Sequence, residues 1–411
     1  MRSRVWRFLV ALIAAHGVFG LTVRAQTPGS TGPLTLEAAI ERAMSANPTI
    51  AAARLRGAIA TAGLGVAGDR LNPEVRVEFE RETPTEAYSL AIPWEAGGKR
   101  SKRIAVANAA LKTSDAELAQ VVAETRASVR RAYYARLITE ARLTLLTELQ
   151  DLSGRARDAA QQRFDAGSVP RLEVLQAQLA VADLGNQVTA AAGAVTAARA
   201  QLNALLGLPI DAATPLASTL DAPVTTLTDA ALARARVANG ELIVAERRLD
   251  EQRARLVLAR ALQTPDITPE GTLTHGNEPE FNFGWRAAVA VSVPLFTRHR
   301  AGVALEDATL KQLTAERDAI LARITGDVTA AIAVADAQQR QYVRYRDEIL
   351  PQALEVERMA EDAFRLGQTG IAAFLQSLQN TRDTRLRSLE AASGFHSALA
   401  DLERAIGAPL P

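Results

Sequence analysis

The sequence predicts a mainly α-helical protein with a membrane β-barrel portion, built from two copies of a helix–β-hairpin–long helix–helix unit. Three features of its 411 residues carry that prediction. The chain repeats itself at an offset of about 200 residues. The first copy holds a proline-free run, 99–165, far too long for a globular domain. Each copy also holds a segment that alternates apolar and polar residues over a membrane-strand length. Composition agrees, with 48% hydrophobic residues, 4% aromatic residues and no cysteine. An apolar share supplied largely by Ala, Leu and Val, with abundant Glu, Arg and Gln, favours long helices over a compact aromatic core. Without cysteine there is no disulfide framework, thiolate nucleophile or zinc ribbon. A formal charge of +1 argues against nucleic acid as a partner.

The amino terminus reads as an export signal. Arg2, Arg4 and Arg7 precede the apolar run Phe8–Ala15, and Val23-Arg24-Ala25 supplies small residues at −3 and −1. Cleavage after residue 25 removes four arginines and no acid, taking the formal charge from +1 to −3. No later window holds the roughly 18 unbroken apolar residues of a spanning helix, so membrane insertion must use strands.

Within the repeat, Arg163-Phe164-Asp165-Ala166-Gly167 returns as Ala363-Phe364-Arg365-Leu366-Gly367. Likewise Gln201-Leu202, Gly207 and Pro209 return as Asp401-Leu402, Gly407 and Pro409. Ala46-Asn47 recurs as Ala238-Asn239, and Leu90-Ala91-Ile92-Pro93 as Val291-Ser292-Val293-Pro294. The first unit spans 26–206, with a hairpin at about 74–93 and long helices over 99–165 and 170–205. A linker covers 207–227. The second unit spans 228–411, with a hairpin at about 266–294 and helices over 300–365 and 370–406. Leu111, Leu118, Val122, Val129 and Tyr133 keep to one helix face, as do Leu313, Ile320, Ile324, Ala331 and Ala335. At 1.5 Å per residue, 99–165 spans about 100 Å. Two shorter helices end to end nearly match it, so the simplest packing lays a long rod antiparallel to two coaxial short ones.

Residues 281–293 place an apolar side chain at every odd position and a polar or small one at every even position. That suits a tilted membrane strand with one face to lipid and one to a wet lumen. Tyr88, Trp94 and Trp285 are placed as interfacial aromatic anchors. Four strands cannot close a barrel, and open edges in lipid leave backbone groups unpaired. Eight strands, from two chains, are filled by their own side chains, so a conduit favours three chains or more.

These features together, with the turns Arg163–Val169 and Phe364–Thr369, resemble the TolC-type outer-membrane efflux factors. The resemblance covers 26–411 and leans toward the branch working with heavy-metal resistance pumps. It implies a homotrimer, with a 12-stranded β-barrel continuous with an α-helical barrel. The location it implies is the outer membrane of a Gram-negative bacterium, with most of the chain in the periplasm. Its implied partners are a periplasmic adaptor (membrane fusion) protein and an inner-membrane pump of the proton-driven type, with substrate leaving passively. Carried over by position, Gly167 and Gly367 match the glycines of the periplasmic tip, and Ala166, Ser168, Leu366 and Gln368 form the adaptor-docking rim. Glu173 matches an acidic position whose aromatic-hydroxyl partner is here Phe364, so that latch cannot form. The acids that ring the constriction in other members fall on Ala373 and Gln376, and Thr369 stands where arginine is frequent. The resemblance thus implies a more neutral constriction, with Gln176 and Gln376 nearby.

Enzymatic chemistry finds no motif. His16, His275, His299 and His396 never reach metal-ligand spacing. The stretch Gly97-Gly98-Lys99-Arg100-Ser101 lacks the first glycine of a phosphate loop and the Ser or Thr after its lysine. No cofactor or metal is expected. Two other readings stay open at this level: a type I protein-secretion duct, and a soluble periplasmic coiled-coil scaffold without a pore. The cations Lys99–Arg103 sit at a helix start, where they oppose the dipole and need compensation from elsewhere.

Overall fold

A computed structural model describes residues 32–81, 84–217, 220, 230–278 and 281–410. The expected signal segment 1–25 lies outside the described residues, as do positions 218–219 and 221–227 of the expected linker. In chain order the elements are α1 (Leu36–Ala46), α2 (Pro48–Gly68), β1 (Glu74–Phe79), β2 (Glu86–Ala91), α3 (Lys99–Asp165) and α4 (Arg171–Leu205). Then come α5 (Ala230–Ala238), α6 (Gly240–Ala261), β3 (Asp266–Glu278), β4 (Phe281–Ser292), α7 (Arg300–Arg344), α8 (Leu350–Arg365) and α9 (Ile371–Ile406).

The 67-residue helix α3 packs against α2, α4, α6 and α9, which gives it the lateral neighbours that so long a rod needs. Its buried residues include Val129 and Tyr133 at mid-length and Leu145, Leu149, Leu152 and Ala156 toward the tip. Much of the buried set is alanine, so the helices approach closely with little aromatic filling.

The joint between coaxial helices is built twice from the same parts. At the first, the Asn47 Oδ1 accepts from the amides of Thr49 (2.8 Å) and Ile50 (3.3 Å), capping α2, while its Nδ2 donates to the Leu205 carbonyl at the end of α4 (2.9 Å). At the second, the Asn239 Oδ1 accepts from the Leu242 amide (3.2 Å) and its Nδ2 donates to the Ala405 carbonyl at the end of α9 (2.9 Å). One amide side chain thus satisfies orphan groups of two helix termini at once. Gly207 (φ +62°) and Gly407 (φ +76°) turn the chain immediately afterwards. A Cβ on Gly207 would sit 2.6 Å from the Ala46 carbonyl oxygen, and one on Gly407 would sit 2.5 Å from that of Ala238. Both glycines are therefore required twice over, by handedness and by close approach. Replacing Gly407 by Ala is expected to cost about 2 kcal/mol from the left-handed backbone alone. A lower melting temperature of the detergent-solubilised protein, matched by Gly207→Ala, checks this.

The segment 300–365 is not the single α-helix expected from its pattern. A π-helical turn at Tyr345–Ile349 divides it, with the Leu350 amide bonded to the Tyr345 carbonyl. Pro351 explains the interruption, because it lacks the amide that a continuing helix needs. The extra residue of the π turn absorbs the defect without ending the rod. Arg346 lies over the Tyr342 ring there, 5.5 Å from its centroid, and Tyr342 stacks on Phe395 of α9.

The basic cluster that opens α3 finds its compensation at the end of α2. The Arg100 Nε donates to the Gly68 carbonyl (2.7 Å) and the Arg103 Nη2 to the Asp69 carbonyl (3.1 Å). Buried Lys99 pairs with Asp266 at 2.7 Å, and Arg103 pairs with Glu95. Cations that oppose the dipole of α3 thus neutralise the negative end of α2.

Candidate functional site

Two ends of the rod are built for contact. At the first, α3 and α4 meet through Ala166–Pro170, and α8 and α9 through Leu366–Gly370. In the first turn the Ser168 amide donates to the Arg163 carbonyl (2.8 Å) and the Gly167 amide to the Phe164 carbonyl (2.8 Å). In the second the Gln368 amide donates to the Ala363 carbonyl (2.8 Å) and the Gly367 amide to the Phe364 carbonyl (3.0 Å). Both are Schellman closures, with Gly167 (φ +73°) and Gly367 (φ +72°) in the left-handed position that the motif demands. Ala166, Gly167, Ser168, Leu366, Gly367 and Gln368 are all exposed, and a Cβ at Gly167 would meet only open space. These glycines serve the turn alone, unlike Gly207 and Gly407.

Beneath this rim the two hairpins are tied together. The Arg163 Nη2 donates to the Phe364 carbonyl (2.8 Å), and the guanidinium carbon lies 4.8 Å from the Phe364 ring centroid. Phe364 stacks on Phe374 at 4.9 Å, with Ile371 buried alongside. The Phe364 ring is therefore packed within the tip, not displayed on open surface. Glu173 and Gln176 are half-buried on α4, whereas Ala373 and Gln376 are exposed on α9, with the Gln376 Nε2 donating to the Asn380 Oδ1 (3.1 Å). Arg155 and Glu361 add an ion pair (3.3 Å) between α3 and α8. No local signal marks Arg163 as a tie, because its partner is a backbone carbonyl 201 residues away.

At the opposite end the four strands form one antiparallel sheet in the order β1-β2-β3-β4. Register aligns Val77 with Tyr88, Tyr88 with Leu273 and Leu273 with Trp285, so one apolar row crosses the whole sheet on a single face. All four are exposed, Trp285 at 75%. The adjacent row, on the other face, is Arg76, Ser89, Thr272 and Arg286, with the Ser89 and Thr272 hydroxyls 3.0 Å apart. Period-two alternation thus becomes two chemically opposite faces. Trp94 extends the apolar face past the end of β2; its amide donates to the Ile267 carbonyl (2.8 Å). Among the described residues β1 and β4 each keep one edge without a strand partner.

A third cluster lies midway. His396 stacks on Tyr134 at 3.5 Å, and a ring nitrogen lies 3.2 Å from the Leu220 carbonyl. Burial, reinforced by the neighbouring Arg130 charge, pushes its pKa down to about 4. Arg130 and Arg126 both pair with buried Glu403 of α9, at 3.0 and 3.1 Å. In the first unit the same place is held by Asn203, whose Nδ2 donates to carbonyls of Pro209, Ile210 and Ala212. No group of His, Cys, Asp and Glu suited to a metal ion occurs among the described residues.

A helical rod of this length, with glycine turns at one end and a two-faced sheet at the other, has the form of an outer-membrane efflux duct subunit. Similarity to known proteins gives the same class. Residues 39–208 match the model of the outer membrane efflux protein family. The cobalt-zinc-cadmium resistance protein CzcC of Cupriavidus metallidurans is 26% identical over 385 residues, covering 92% of this chain and 91% of CzcC. The outer membrane channel CmeC of Campylobacter jejuni superposes with a TM-score of 0.77 at 14% identity, covering 90% of this chain and 85% of CmeC. The outer-membrane channel OprN gives 0.75 at 18% identity, covering 90% and 89%. Residues 39–208 carry that family's pattern, and with the likeness to CzcC and the shared channel fold this supports an outer-membrane exit duct of a tripartite efflux system. Such a component works with an adaptor and an inner-membrane pump, and the soluble-scaffold reading is set aside.

Proposed function

We propose that three copies of this chain assemble into one conduit, each giving four strands to a 12-stranded barrel and its helices to an α-helical tunnel. The observation that carries this reading is the sheet: it has an apolar face fit for lipid and two edges that a single copy leaves open. In hydrocarbon each unpaired backbone group costs several kcal/mol, so β4 of one copy must meet β1 of the next. The helices support the same conclusion. Leu55, Ile59 and Val66 form an uncovered apolar stripe on α2, fit for a neighbouring copy.

In this arrangement the rims Ala166–Ser168 and Leu366–Gln368 receive the adaptor. Glu173, Gln176, Ala373 and Gln376 lie at the periplasmic constriction, with Phe364 supporting it from within the tip. Tyr88, Trp94 and Trp285 hold the barrel in outer-membrane lipid. The pump, of the proton-driven type, selects cargo upstream, and the lumen conducts it passively. Likeness to CzcC along nearly the whole chain favours divalent metal ions as cargo. Planar-bilayer recording tests the conduit: detergent-extracted protein gives stepwise conductance. A closed tip is distinguished from an absent pore by repeating the recording with Arg163→Ala, which removes the tie between hairpins. Folded protein that gives no steps in either form overturns the proposal.

A further inference from the structure

Below the last rung of β4 lies Phe296, the most exposed large apolar side chain among the described residues, at 101%. Such exposure is costly in water, and its neighbours show that it is not an isolated accident. Val291 and Val293 keep the parity of Trp285 along the chain, so the apolar face continues to the foot of the sheet. Val291 registers with Ile267, and Ile267 bridges Trp94, so all three mark one level where strands give way to helices. From there the chain turns: the Leu295 amide donates to the Val293 carbonyl (2.9 Å) and the Arg298 Nε to the Leu295 carbonyl (3.1 Å). Val293, Leu295 and Phe296 are all exposed. Exposed Arg298 and Arg300 follow immediately, neither with an ion pair among the described residues. His299 between them adopts the left-handed conformation (φ +52°), which ends the loop and starts α7.

We propose that Val293–Arg300 is a foot set into the periplasmic leaflet of the outer membrane, with Phe296 among the upper acyl chains and Arg298 and Arg300 at the phospholipid phosphates. This rests on the membrane placement of the sheet proposed above. Apolar side chains backed by cations match the chemistry of a phospholipid surface, whose negative phosphates overlie hydrocarbon. A neighbouring copy is the less suitable occupant: β1 begins only at Glu74, preceded by Pro73, so its strand offers no rung to residues beyond the end of β4.

Tryptophan fluorescence tests the foot directly, because Trp94 and Trp285 are the sole tryptophans of residues 26–411. The probe is Phe296→Trp in a Trp94→Phe/Trp285→Phe background, reconstituted in vesicles of phosphatidylcholine brominated at carbons 6 and 7. Its emission is expected to fall at least twofold relative to unbrominated vesicles. A companion carrying Trp285 alone reports on the sheet itself. Quenching of Trp285 with none at position 296 overturns the foot and leaves the membrane sheet standing, the side chain then being covered by a second copy or by water. Absence of quenching at both positions overturns the foot together with the membrane placement.

Discussion

Leu273→Lys is expected to abolish the heat-resistant assembly, while Thr274→Lys, one residue further along β3, leaves it intact. Leu273 lies at the centre of the apolar row, between Tyr88 and Trp285. A lysine there meets lipid, at up to about 2–4 kcal/mol per copy. Over the three copies of a shared barrel that reaches about 6–12 kcal/mol, comparable with the 5–15 kcal/mol within which folded proteins ordinarily survive. Thr274 belongs to the opposite face, in register with Ala87 and Gly284 and in a row with Glu78, so its lysine enters a wet, partly acidic surface. Mobility in unheated gel samples from outer-membrane fractions reads both variants. Equal loss from both, or from neither, contradicts the two-faced sheet.

Acidification is expected to weaken the fold through His396. In the folded chain its pKa is about 4, held down by burial and then by Arg130. In the unfolded chain an imidazole titrates near 6.5. Between these values the unfolded chain binds more protons, so stability rises with pH across the window. It is fully present above about pH 6.5 and is lost as pH falls toward 4. The full loss is about 3 kcal/mol per chain. The groups that face His396 are the Tyr134 ring, its neighbour Phe395, the Leu220 carbonyl and the Arg130 guanidinium, itself paired to Glu403. None of them offers an anion directly to a protonated imidazole. His396→Gln removes the proton site while keeping a donor for the Leu220 carbonyl. Thermal melts in detergent between pH 7.5 and 4.5 are expected to show a steeper decline for the parent than for the variant. Parallel curves contradict the assignment.

What was legible in the sequence and what was not follow one physical division. The duplicated anchors Ala46-Asn47 with Gly207, and Ala238-Asn239 with Gly407, stood out because each joint needs an amide that serves two helix ends and a glycine pressed against a carbonyl. Period-two alternation in 281–293 was visible because register converts parity directly into two faces. The tip glycines were visible because a Schellman closure demands positive φ. Features that depend on distant partners were hidden. Nothing local in Lys99–Arg103 reveals that Arg100 and Arg103 reach the carbonyls ending α2. Likewise Arg163 gives no hint of the Phe364 carbonyl, and Asn203 and Glu403 occupy equivalent places with unrelated partners. The π turn was missed because Pro351 normally ends a helix or leaves it kinked, whereas here one extra residue absorbs it.

The division of labour between the ends of the rod follows from these parts. The tip exposes a rim of Ala166, Gly167, Ser168, Leu366, Gly367 and Gln368 over a core of stacked phenylalanines, and a few polar ties hold its two helical hairpins together. In the proposed assembly the sheet supplies membrane placement, and neighbouring copies complete it at the open edges of β1 and β4. Between them, the doubled glycine–asparagine joints transmit the helix axes across the middle of the molecule.

The mass of the assembly tests the central claim most directly. Native mass spectrometry of protein extracted in detergent, with bound lipid removed in the gas phase, counts the chains in each particle. Three chains per particle are predicted, with no stable smaller species once detergent is withdrawn. A folded single chain that stays monodisperse in plain buffer, with the edges of β1 and β4 protected from amide exchange, contradicts the account.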